Sequence, residues 1–330
     1  MILSRNEIKY SGRFDFSNSH KVEFGWAKTS LTINFIGNRV YADIESDGED
    51  YFLVVLDGEV YNHSFPVTER KLYKLVEDIE YGEHTLELVK RTEAFVGTAS
   101  FYGFEIFHGK ILEPPKEKPL KIEIFGDSIS CGYGNESENE FGDFYSKDEN
   151  SYSSYGAIAA RELNAELTLT TWSGLGLVRN YDDSPMPLPE RIEWITNKDA
   201  NKKWDFSNYV PDIVIINLGT NDFNEHPPSK EDFVDGYKRL IDRIKNYYES
   251  VKIICAIGPV MEGKALDDIR DYVKNNVVEY YNSIGNKDIF FLEHSHQKEE
   301  NGYGQAYHPS QITHNIMADE LVDKLKEILQ

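Results

Sequence analysis

The feature that most constrains this chain is a change of pattern across residues 113–119, EPPKEKP. Two adjacent prolines among charges suit neither a helix nor a strand, so this stretch reads as a linker. After it, short apolar runs alternate with helical periodicity. The runs are LKIEIF (120–125), ELTLTT (166–171), DIVIINL (212–218), VKIICAI (251–257) and DIFFLE (288–293). Between and after them, Phe233, Tyr237, Leu240, Ile241, Ile244 and Tyr248 fall on one helical face. So do Ile269, Tyr272, Val273, Val277 and Tyr280, and later Ile316, Met317, Leu321, Leu325 and Ile328. Buried-type strands separated by helices specify a parallel sheet covered on both faces. Before residue 113 the pattern has strands alone. SLTINFIG and RVYADIES alternate apolar and polar residues, and Asp57-Gly58 marks a hairpin between two strand-like runs. That part reads as a β-sandwich or jelly roll. The expected organisation is a β domain over 1–112, a linker over 113–119 and an α/β domain over 120–330.

Charge narrows the partners. A formal net charge of −22 repels nucleic acid and anionic lipid, so neither is expected as a partner, whereas a neutral sugar is not repelled. The two cysteines, Cys131 and Cys255, have no metal-ligand spacing, and no cofactor is expected. His294 and His296 beside Glu293 resemble half a zinc site, but without a third ligand cluster they read as a polar loop. No stretch approaches about 18 consecutive apolar residues, and the opening MILSRNEIKYSGRFDF lacks the apolar run of an export signal. The expectation is a cytoplasmic protein, or a secreted one if a leader has been removed.

Chemistry in a parallel α/β sheet belongs at the carboxyl ends of the strands. The first strand ends in IFGDSISCGYG, which puts Ser128 at the start of a helix, with Gly126 leaving room for a tight turn. Developing negative charge is stabilised there, although Asp127 or Ser128 could equally serve only as a helix cap. The second strand ends in TWSGLGL; a glycine just past a strand can offer its N–H to a substrate, Gly174 first and Gly176 next. The third ends in INLGTND, where Asn221 could point an amide N–H at the same anion and Asp222 could brace the loop. After the fifth strand, GYGQAYHPSQITH places His308 before Pro309 and the final helix, which Ser310 or Thr313 could cap. A nucleophile, two N–H donors and a base in this order suit acyl transfer: Ser128 attacks, His308 takes the proton, and Gly174 and Asn221 hold the oxyanion.

These blocks, Gly126-Asp127-Ser128, Gly174, Gly219-Thr220-Asn221-Asp222 and His308-Pro309, resemble the GDSL or SGNH hydrolase superfamily. With a β domain ahead of them, the whole chain is similar to carbohydrate esterase family two. The resemblance implies an SGNH-type α/β domain with a flavodoxin-like five-stranded parallel sheet, preceded by a jelly roll. It implies a serine esterase that removes acetyl groups from xylo- or manno-oligosaccharides without a cofactor. The stretch RNYDDSPMP (179–187) looks like the family's segment after the second block, which would put Tyr181 along the sugar. Two positions depart from the pattern. The superfamily usually has an Asp three residues before the histidine, where this chain has Gln305. Some family members work with a Ser-His dyad and a main-chain carbonyl orients the imidazole, which is the arrangement expected here. Met261 stands near a position where the family often has a tryptophan.

Two other readings share these residues: a lipase or acyl-thioesterase on the same scaffold, and a carbohydrate-binding protein that has lost catalysis. Trp26, Trp172, Trp194 and Trp204 could stack on sugars, but tryptophans more often anchor packing.

Overall fold

The computed structural model describes residues 6–330. The β-rich half is two antiparallel sheets packed face to face. One holds Lys9–Ser11, Ser30–Gly37, Gly82–Lys90, Asp50–Leu56 and Glu59–Val67 in spatial order, with Lys110–Ile111 also paired to Ser30–Gly37. The other holds Val22–Phe24, Ala99–Ile106, Val40–Ser46 and Lys71–Val76. Numbered one to eight from Val22–Phe24 to Ala99–Ile106, the strands fall as 1-8-3-6 and 2-7-4-5. That order is a jelly roll of two Greek keys. The period-two pattern puts Leu31, Ile33 and Phe35 inward to meet Phe24, Phe52, Leu88, Phe101 and Phe104 in one core.

The second half is a five-stranded parallel sheet in the order Ala165–Thr171, Leu120–Gly126, Ile213–Asn217, Lys252–Ile257, Ile289–Glu293. Helices Tyr155–Glu162 and Gln311–Leu329 pack on one face, with Tyr155, Met317, Leu321 and Leu325 buried. Helix Lys230–Tyr247 and the helical segment 263–283 cover the other. The order, 2-1-3-4-5 in chain sequence, is the flavodoxin-like one. It opens a crevice where connections leave the first strand in opposite directions, at the carboxyl ends of the first and third strands.

Two helix faces differ from expectation. Asp271–Val278 is wound as a π-helix. Its wider turn shifts the phase by a residue, so Tyr281 rather than Tyr280 enters the core. In the last helix Ile316 faces solvent, while His314 and Met317 face in.

The halves are joined by buried polar contacts. Arg13 is fully buried; it pairs with Glu123 of the first parallel strand at 2.8 Å, and its guanidinium lies 5.4 Å from the Trp204 ring centre. Trp26 Nε1–H donates to the Ile195 carbonyl at 3.0 Å. Residues Lys90, Arg91, Thr92 and Glu93, four polar side chains in a row, are all completely buried. Arg91 donates to the main-chain carbonyls of Lys147 at 3.1 Å and Glu149 at 3.2 Å. Such contacts lock register between domains, because a buried charge left without its partner is costly. Arg13→Ala, which strands the Glu123 carboxylate, should therefore lower stability by about 3–5 kcal/mol in urea unfolding. A loss under about 1 kcal/mol would contradict this account of the interface.

Candidate active site

The first parallel strand ends at Gly126, and Asp127 caps the short helix Ser128–Cys131 by accepting the Ile129 N–H at 3.0 Å. Asp127 is thus the cap, which leaves the Ser128 hydroxyl for another partner. Gly126 is needed for space rather than for an unusual turn: a Cβ there would lie 2.3 Å from Ser130 Oγ. Ser130 in turn shares a hydrogen bond of 3.0 Å with Tyr155 Oη, fixing the helix from beneath.

Ser128 Oγ–H donates to His308 Nε2 at 2.8 Å, and His308 Nδ1–H donates to the main-chain carbonyl of Gln305 at 2.9 Å. The imidazole therefore has a neutral backbone acceptor where a carboxylate is usual. The loop that presents it is unusual: Ala306 and Tyr307 are consecutive non-glycine residues in the left-handed region, with φ of 51° and 59°. Gln305 is buried, and its side-chain Oε1 accepts the Tyr145 N–H at 3.3 Å. The Tyr133 ring lies against the imidazole with centres 4.3 Å apart. Burial pushes the His308 pKa down to about 4, with the hydrogen bond to Gln305 pulling upward. The ring is thus neutral at pH 7, with Nε2 free to accept a proton.

Gly174 follows the second parallel strand with φ of 77°, and a Cβ there would meet nothing within 4 Å. Its carbonyl accepts the Tyr181 N–H at 2.8 Å, so the segment carrying Tyr181 folds back onto this loop. Gly176 is not a second donor, because its N–H is taken by Asn180 Oδ1 at 3.0 Å. Asp222 braces the same loop, accepting N–H groups of Leu177, Val178 and Arg179 at 2.7–2.9 Å. Asn221 Nδ2 donates to the Leu175 carbonyl at 2.9 Å and has a longer contact of 3.4 Å to Asp127 Oδ2.

Ser128, Gly174, Tyr181, Asn221 and His308 all line one cleft of about 730 Å³, joined by Tyr133, Met261 and Tyr307. Tyr181 is 60% exposed there. None of the four tryptophans lines this cleft; Trp26 and Trp172 pack edge to face, and Arg13 lies over Trp204. The His294–His296 segment does not converge on one point: His294 pairs with Glu320, His296 with the Met261 carbonyl, and Glu293 with Arg270.

Residues 10–115 match the family described as Carbohydrate esterase 2 N-terminal, and residues 124–314 match the GDSL-like Lipase/Acylhydrolase family. A solved structure of a family two carbohydrate esterase from Clostridium thermocellum is 41% identical, with a TM-score of 0.95 over 98% of this chain and 99% of that one. The chain belongs to carbohydrate esterase family two. Cellulase/esterase CelE of Acetivibrio thermocellus is 41% identical over 322 residues, 98% of this chain and 39% of that protein. This chain thus spans well under half the length of that relative. An Acetylxylan esterase / glucomannan deacetylase of Cellvibrio japonicus is 26% identical over 339 residues, 98% of this chain and 89% of that one.

Sequence reasoning missed Tyr133 and the buried pair Glu93 and Glu149, the first of which accepts the Ser173 N–H at 2.6 Å beside Gly174. Tyr133 lies in the CGYG that follows the serine helix, where an aromatic five residues past Ser128 was a usable signal. Glu93 and Glu149 gave none, since nothing in the residues around either marks it as buried or links the two across the chain. The His308 environment yields a direct expectation. Its NMR titration should have a midpoint well below the usual 6.5, towards 4, the neutral ring being retained as pH falls. A midpoint at or above 6.5 would contradict the burial argument.

Proposed function

We propose that this chain is a carbohydrate O-acetyl esterase working through a Ser128–His308 dyad. The observation that carries the reading is the continuous relay from Ser128 Oγ through His308 to the Gln305 carbonyl, opening on the cleft. In this reading His308 takes the hydroxyl proton as Ser128 Oγ attacks the acetyl carbonyl. The oxyanion is held by the Gly174 N–H and by Asn221, whose N–H near Asp127 has only a 3.4 Å contact to give up. Collapse breaks the ester bond, and the proton on His308 passes to the departing sugar oxygen. Water then attacks the acetyl-serine, losing a proton to His308, and acetate leaves as that proton returns to Ser128. A neutral acceptor on Nδ1 stabilises imidazolium less than a carboxylate does, which suits esters rather than amides.

The cleft supports a sugar over a long acyl chain. Thr220, Asn221, Asn224, Glu262 and Gln297 supply polar groups beside the flat faces of Tyr181 and Tyr307. The solved relative from Clostridium thermocellum is in complex with cellohexaose, and the Cellvibrio relative is named for acetylxylan and glucomannan. Those names support acetylated xylo- or manno-oligosaccharides as the substrate class, with Tyr181 as a wall of the sugar site.

Acetate release from a panel of acetylated oligosaccharides, resolved by acetyl position, tests the reading. Ser128→Ala and His308→Ala should fall to background while remaining folded. Asn221→Ala should lower kcat by about 10²–10³ with a smaller change in KM. Gln305→Ala should stay within about 10-fold of the parent, because the acceptor belongs to the backbone and not to the side chain. Retained turnover in Ser128→Ala, or an effect of Asn221→Ala confined to KM, would contradict these roles.

A further inference from the structure

Behind the Gly174 loop lies a buried acidic group that the dyad does not use. Glu93 comes from the β domain, and Glu149 and Cys131 from the α/β domain. All three are fully buried, with one carboxyl oxygen from each glutamate and the cysteine sulfur within 4.8 Å of one another. Glu93 Oε2 accepts the Ser173 N–H at 2.6 Å, and Glu93 Oε1 accepts the Ser173 hydroxyl. The Glu93 N–H donates to Glu149 Oε2 at 3.0 Å. Three of the four carboxyl oxygens therefore accept hydrogen bonds from the chain. The fourth, Glu149 Oε1, is buried and takes none.

Two carboxylates this close cannot both ionise. Burial and the charge of Glu93 push Glu149 well above the usual carboxylate range. A proton on Glu149 supplies what the unpartnered oxygen lacks. Both Glu93 oxygens already accept hydrogen bonds from Ser173, which ties this carboxylate to the loop before Gly174. Burial also raises the Glu93 carboxyl, but the hydrogen bonds from Ser173 pull it down and favour the charge on Glu93 over Glu149.

Ser173 is the residue before Gly174, and both line the cleft. Nothing packs where a Gly174 side chain would be, so contacts at that point do not set its direction. Two tethers do: the Tyr181 N–H on the Gly174 carbonyl, and Glu93 on Ser173. We propose that Glu93 is a positioning residue for the oxyanion site, a carboxylate extended by the β domain that fixes Ser173 and thereby aims the Gly174 N–H. The proposal rests on the esterase reading above. It makes the β domain part of the catalytic apparatus, whether or not that domain also touches glycan.

The test is steady-state hydrolysis of 4-nitrophenyl acetate by the full chain. Glu93→Gln replaces one acceptor oxygen by an NH₂ that opposes a Ser173 donor. Its kcat should fall about 10- to 100-fold while KM stays within about 3-fold, the signature of a misaimed oxyanion donor. Glu149→Gln keeps a neutral donor beside Glu93, and its kcat should stay within about 3-fold of the parent at pH 7. A purely structural Glu93 would lower the unfolding temperature and leave kcat per folded molecule unchanged, which would overturn the proposal. A loss in Glu149→Gln as large as in Glu93→Gln would also overturn it, because the charge state of the pair would then matter more than the contact to Ser173. If Glu93→Gln does not fold, Glu93→Asp, which keeps the charge and withdraws the carboxylate from Ser173, reads the contact instead: a reduced kcat at constant KM supports the proposal and an unchanged kcat overturns it. An inactive parent chain would overturn the esterase reading itself, whereas an active parent with an indifferent Glu93→Gln overturns only the positioning role.

Discussion

The site depends on one hydrogen bond, from His308 Nδ1–H to the Gln305 carbonyl. It selects the tautomer that leaves Nε2 as an acceptor facing Ser128 Oγ. A backbone acceptor works only if the backbone is held, and several contacts hold it. The Gln305 N–H donates to the Gly134 carbonyl at 3.0 Å, the Gln305 side chain accepts from Tyr145, and Gln297 Nε2 donates to the Tyr307 carbonyl at 2.9 Å. These contacts also retain Ala306 and Tyr307 in the left-handed region, at roughly 1–2 kcal/mol of strain each. Strain kept beside a functional side chain is a form of pre-organisation.

The second dependence runs between the domains. Arg13 reaches the first parallel strand, Arg91 the segment around Glu149, and Glu93 the loop before Gly174. Each contact puts a charged side chain of the jelly roll into the interior of the α/β half, where a missing partner is expensive. The relative setting of the two halves is therefore fixed by directional bonds as well as by apolar packing. This gives a physical reason for the two halves to act as one unit, the jelly roll supporting the strand ends at which the chemistry is proposed.

Much of this was legible in the residues. The five apolar runs became the five parallel strands, because period and length distinguish buried strands from helices. The blocks around Ser128, Gly174, Asn221 and His308 meet in one cleft because the strand order brings those loop ends together. Gln305 in place of Asp pointed to a main-chain acceptor, and the chain supplies the carbonyl of that same residue. Other features had no local signal. The π-turn that exchanges Tyr280 for Tyr281 is a matter of backbone winding that apolar spacing does not encode. The burial of Lys90, Arg91, Thr92 and Glu93 depends on partners such as Glu149 and Ser173, distant in sequence, and charged residues at a strand end are more often solvated. The choice between Gly174 and Gly176 required knowing that Asn180 occupies the second N–H.

The central claim is that Ser128, activated by a carbonyl-oriented His308, carries the acyl group. Acid-quenched mass spectrometry after brief exposure to 4-nitrophenyl acetate tests it most directly. The account predicts one acetyl group, located by fragmentation on Ser128 and absent from both Ser128→Ala and His308→Ala. Acetyl found on another side chain, or turnover by the parent chain of an ester that never labels Ser128, would contradict it.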